Sequence, residues 1–189
     1  MTETKLEVDF VGTAADLIPN NTLARVMHRH LTAIGLPEYD ANDEEFARKI
    51  QATLSEEDIA TDLAGLAPET VEQLKGKAIA DIIPPYREEG VLSGSTDVGD
   101  VSWNVPTMQC ITGCWAIGAP FHTWQVVSQG TMPIAHKGML QAGKVIAATA
   151  IDVMENEEMI TQAKAEWRKR LNGEQYVSLI PEAAEPPKK

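Results

Sequence analysis

From Val101 to Ile151 the chain carries no aspartate or glutamate, and its only formal charges there are Lys137 and Lys144. The whole sequence has 28 acids against 16 lysines and arginines in 189 residues, a formal charge of −12. An acid-free segment of that length in so acidic a chain reads as the buried heart of the fold. The acids collect instead in residues 38–62 and 152–158, where first helical turns and wet helix faces place them. The same charge balance disfavours a polyanionic partner, so nucleic acid is excluded as a target.

Residues 1–10 carry acids where a signal peptide needs a basic start and an apolar run, and no run of about 18 apolar residues exists to span a bilayer. The expectation is a soluble, cytoplasmic chain with no membrane partner. Cys110 and Cys114 are its two cysteines. In an extended segment four residues cover about 13 Å, beyond the roughly 7 Å a disulfide spans, so both read as reduced core thiols.

Leu6, Val8 and Phe10 alternate with polar neighbours, the period-2 pattern of a strand with one wet face. Asn20 or Asn21 then caps a helix with Leu23, Val26, Met27, His30, Leu31 and Ile34 on one stripe, ended by Gly35 and Pro37. Asn42 is read as the cap of a helix carrying Phe46, Ile50 and Leu54. Ser55 with Asp58, and Pro68, mark further helix starts. Residues 84–100 hold too many turn formers for regular structure and read as a long loop. Thr107 to Trp115 and His122 to Val127 read as neighbouring strands. A helix from Met139 to Met154 presents Leu140, Gly143, Ala147, Ala150, Ile151 and Met154 for close packing on a sheet. Asn156 caps a last helix with Ile160, Ala163, Trp167 and Leu171, stopped at Asn172 and Gly173. Residues 181–189 read as a mobile tail.

Few residues suggest chemistry. His28 and His30 lie two apart on a helix and read as structural, whereas His122 and His136 sit at the edges of the acid-free segment beside tight-loop residues. No H-x-x-x-H, Cys-x-x-Cys or H-x-D grouping, no G-x-S-x-G elbow and no glycine-rich phosphate cradle is present.

Gly94 to Thr107 with its Gly-Ser-Thr-Asp start, then Pro120-Phe-His-Thr-Trp-Gln125, then Ile134-Ala-His-Lys-Gly-Met139 and its alanine-rich helix, resemble the carboxy-terminal part of the M20 family metallopeptidases and amidohydrolases. Leu17 to Ala24 resembles the end of that family's lid, or dimerisation, domain. The resemblance implies an α/β fold: the carboxy-terminal part of a zinc-peptidase-like α/β/α catalytic domain at 37–180, preceded at 1–36 by the end of an α+β lid domain. It implies hydrolysis of the amide bond of an acyl-amino acid, such as an aromatic acyl-glutamate, with zinc or another divalent metal such as manganese. His136 then falls at the family's final metal-binding histidine, Ser95, Thr96 and Asp97 on its active-site loop, and His122 near the cleft. Arg25, beside Asn20 and Asn21, is a candidate contact for a substrate carboxylate.

The family draws its catalytic glutamate and most metal ligands from the half of the catalytic domain that precedes the lid. Glu88-Glu89-Gly90 follows the lid segment and reads as a solvated loop, not as the family's Glu-Glu motif. The chain is therefore expected to be a carboxy-terminal fragment with no catalytic residue of its own, holding a partial metal site or none, and inactive alone. Its partner would be the missing amino-terminal half or a homologous subunit, in a homo- or hetero-oligomer. The alternative is a non-catalytic interaction or dimerisation module of the same origin, pairing through the edge of the Leu6-Val8-Phe10 strand.

Overall fold

The computed structural model describes residues 3–7, 10, 12–88, 96–181 and 184. They form eight α-helices: α1 Asn21–Ile34, α2 Ala41–Gln51, α3 Glu56–Leu63, α4 Pro68–Leu74, α5 Val98–Ser102, α6 Trp124–Gln129, α7 Pro133–Glu155 and α8 Glu157–Leu171. Among the described residues there is no strand and no sheet. The α/β reading, with its zinc-peptidase-like α/β/α catalytic domain and α+β lid, is thereby overturned.

The physical reason lies in pairing. An apolar extended run becomes a strand only when a second run offers its backbone donors and acceptors. Residues 106–114 are non-helical as expected, but no backbone ladder forms along them. Side chains hold the segment instead: the Tyr39 hydroxyl donates to the Gly113 carbonyl at 2.9 Å and Thr112 Oγ1 to the Gly138 carbonyl at 3.0 Å. The second run is largely taken into α6, which starts at Trp124. Between them, the Ala116 amide donates to Gln129 Oε1 and the Gly118 amide to Asp62 Oδ2, both at 2.8 Å, while Gln51 Nε2 donates to the carbonyls of Lys77 and Ile117. At the amino terminus Val8 lies outside the described residues, and Leu6 is exposed.

Helix boundaries follow the capping chemistry. The Asn20 side chain accepts from the Leu23 amide, and Gly35 ends α1 at φ +79°. Ser55 and Asp58 form a capping box at α3, Pro68 opens α4, and Asn156 caps α8, which closes on Asn172 in the left-handed region at φ +50°. At α2 the cap is Asp40, in a box with Asp43; Asn42 sits inside the first turn and Leu54 lies beyond the helix end.

The core has two parts. Helices α1, α7 and α8 pack on one another. Ala47, Ile50, Ala78, Ile79, Ala116 and Ile134 form a buried cluster against Tyr39, Phe46 and Met132. Polar contacts reinforce the first part from within and tie it to the second. Glu166 of α8 accepts from the Asn21 and Thr22 amides at 2.8 and 2.9 Å and from the Thr22 hydroxyl, satisfying free donors at the start of α1. Lys137 of α7 pairs with Asp40 at 3.2 Å and with the buried Asp43 of α2.

Helix α7 faces the opposite way from the expectation. Its buried residues are Ile134, Gly138, Gln141, Val145 and Thr149, while Leu140, Gly143, Ala147, Ala150, Ile151 and Met154 are exposed. The helix is apolar on both sides, so periodicity alone does not choose the buried one. Local chemistry does. The Gln141 amide donates to the Gly35 carbonyl, Thr149 Oγ1 bonds back to the Val145 carbonyl, and a Cβ at Gly138 would strike the Gly113 carbonyl and Cys114 Sγ. That close approach requires glycine.

Candidate functional site

The loop that holds Ser95, Thr96 and Asp97 enters α5. Ser95 lies outside the described residues, as do Glu89 and Gly90. The Thr96 carbonyl accepts from the Gly99 amide at 3.0 Å, and the Asp97 side chain is exposed and makes no capping bond to α5. Helix α5 is anchored from several sides. Buried Ser102 accepts from the Ile18 amide at 2.8 Å and donates to the Gly99 carbonyl at 2.6 Å, and Trp167 Nε1 donates to the Ser102 carbonyl at 2.8 Å. Trp103 Nε1 reaches the Asp16 carbonyl and the Tyr176 hydroxyl reaches Asp100. An acid carried on so fixed a base can present a charge in a constant place.

His122 sits in the turn before α6 at φ +62°, a conformation that costs a non-glycine residue about 1 kcal/mol. Its imidazole is exposed, next to Phe121, whose ring meets Trp115 edge-on at 5.4 Å. His136 lies within the first turn of α7 and not before the helix; its amide donates to the Met132 carbonyl at 3.2 Å and its ring faces outward. No hydrogen bond, ion pair or ring contact joins Thr96, Asp97, His122 and His136 to one another among the described residues. Nor do the described residues bring together three His, Cys, Asp or Glu side chains able to hold a metal ion. One imidazole is one ligand, short of the three or four a zinc site needs, so these residues do not fit a complete metal site.

The other candidates have structural partners. His28 Nε2 bonds the Pro84 carbonyl at 2.8 Å, and His30 Nε2 bonds Asp152 at 2.7 Å, with Arg29 on the same carboxylate at 2.5 Å. Those bonds, His30's first, hold the Asp152 carboxyl below its ordinary range. Arg25 pairs with Glu88, so the carboxylate it finds is internal. Cys110 and Cys114 are free and partly buried, and burial pushes the Cys110 thiol up, away from nucleophilic character.

Sequence reasoning missed the polar cluster beside His136. Burial, then the nearby Cys114 and Asp43, push the Tyr39 hydroxyl up to about 12, which keeps it a donor to Gly113. Lys137 is held above its ordinary range chiefly by its bond to Asp43, against the opposing effect of burial. The Asp40-x-x-Asp43 spacing was the available signal, since it is a capping box. A cleft of about 630 Å³ opens next to this cluster, lined by Tyr39, Asp40, Glu44, Lys77 and Asp81 among others, and none of the candidate residues lines it.

Among known proteins the chain is similar to part of a hydrolase. That relative is one of the subunits of p-aminobenzoyl-glutamate hydrolase from Escherichia coli (strain K12), 38% identical over 194 aligned positions, which are 98% of this chain and 40% of the relative. The chain thus spans two-fifths of the length of the relative it matches. No family model and no solved structure matches it. No helix among the described residues is long and apolar enough to cross a membrane.

Proposed function

We propose that this chain is a working portion of a metal-dependent amide hydrolase of the M20 type, cleaving an acyl-amino acid such as p-aminobenzoyl-glutamate. The observation that carries the reading is the 38% identity sustained over 98% of the chain. In this reading His136 supplies one ligand to a zinc or manganese ion. Ser95, Thr96, Asp97 and His122 contact the acyl-amino acid, and none of them is the catalytic base. Amide hydrolysis needs an activated water, a general base and an electrophile at the carbonyl. The base and the remaining ligands come from polypeptide equivalent to the 60% of the relative that lies outside the match. Exposure of both imidazoles supports the assignment, because a side chain that must meet a second polypeptide cannot be used up in the core.

The test is co-expression of the chain with the unmatched portion of the Escherichia coli relative, purification in zinc, and assay of glutamate released from p-aminobenzoyl-glutamate. Release that falls at least about a hundredfold in His136→Ala supports the reading. A metal-loaded complex that releases no glutamate, or a His136→Ala complex as active as the parent, refutes it.

A further inference from the structure

The exposed stripe of α7 has the form of an interface. His136, Leu140, Gly143, Ala147, Ala150 and Met154 recur at alternating steps of four and three along the helix, the spacing of a seam that meets another element. Leu140 is 62% exposed and Met154 75%, and Met139, Ile146 and Ile151 widen the stripe on its flanks. A Cβ added at Gly143 meets nothing within 4 Å, so the middle of the stripe is open and lined by small residues that let another backbone come near. An apolar strip of this length is unusual on a surface that faces only water.

We infer that this face of α7 docks the polypeptide that completes the hydrolase, and that this partner places a carboxylate opposite Lys144. The inference rests on the functional reading above. Two observations choose this occupant over a second copy of the chain. First, the relative carries 60% of its length outside the match. Second, Lys144 lies one residue from the midpoint of the 136–154 stripe, so an antiparallel copy would set two lysines together, and the acid-free segment 101–151 has nothing to neutralise them. His136 is the first residue of the stripe, so docking there brings the partner up to the imidazole.

The experiment co-expresses the tagged full chain with the unmatched portion of the Escherichia coli relative and measures the amount recovered with the tag. Leu140→Glu and Ala147→Glu alter exposed positions, and circular dichroism checks that the helices persist. Lys164→Glu, on the exposed side of α8, serves as control. The expected result is near-stoichiometric recovery, a loss of about tenfold or more in both stripe variants, and no loss in the control. In addition, the thiol of Ala147→Cys should be labelled about tenfold more slowly in the complex than in the chain alone. Absent recovery, recovery or labelling indifferent to the stripe, or a homodimer of the chain broken by the same two substitutions would each overturn the inference. Hydrolysis is scored separately. A stripe-dependent complex without turnover leaves the docking face standing and defeats the functional reading; turnover indifferent to the stripe does the reverse.

Discussion

Glu166 is where a single side chain does most to join distant parts of the sequence. Burial works to raise its pKa, but the amides of Asn21 and Thr22, the Thr22 hydroxyl and Arg170 outweigh it and leave the carboxyl below its ordinary value. A carboxyl with a lowered folded-state pKa adds stability above its unfolded value of about 4.3, and that contribution disappears as pH falls through the lower folded value. Glu166→Gln should therefore cost about 1–2 kcal/mol at pH 7, and urea titrations should show the difference from the parent shrinking below about pH 4. Gly138 gives the opposite sign to the usual helix rule. Alanine normally gains about 1 kcal/mol over glycine in a helix, yet Gly138→Ala should lose about 1–3 kcal/mol in thermal or urea unfolding, because the added methyl meets the Gly113 carbonyl. His122→Gly should leave stability unchanged or raise it by up to about 1 kcal/mol by releasing the positive φ. The same variant should weaken substrate binding in the complemented enzyme, read as a raised KM.

Elements were legible where the chain carries its own local instructions. The caps at Asn20, Ser55 and Asn156 follow from side chains that reach only three positions, the start at Pro68 from its fixed φ, and the stop at Asn172 from its tolerance of the left-handed region. Strands were not legible in the same way, since a strand is completed by a partner remote in sequence. Residues 106–114 are neither helix nor strand, and the expected partner run is largely built into α6. The buried face of α7 departs from the periodicity for a related reason: Gln141 and Thr149 look polar in the sequence and are buried because each finds an acceptor. Side chains that stand in for a ladder should be costly to remove. Gln129 is fully buried and holds the Ala116 amide and the Gln125 carbonyl. Gln129→Ala should lower stability by about 2–4 kcal/mol, combining an orphaned amide with a cavity, as measured by chemical denaturation. Of the candidate site, the histidines are legible in the sequence because four are few and two lie in the acid-free segment. Their spatial relation to other ligands was beyond reach, because most of those ligands are proposed to lie on other polypeptide.

At the scale of the whole molecule, the acid-free segment gains a second meaning. Part of it is buried, in Ala116, Ile117, Ile134 and Val145. Part of it, from Phe121 and Val127 to Leu140 and Ile146, is apolar and exposed, which fits surface reserved for another polypeptide better than a finished exterior. The central claim is that amide hydrolysis requires this chain and its complement together. Zinc-supplemented assays of p-aminobenzoyl-glutamate test it most directly, comparing the purified chain, the co-expressed pair and the pair carrying His136→Ala. The account predicts turnover by the pair alone; turnover by the isolated chain, or by the His136→Ala pair at the parent rate, would contradict it.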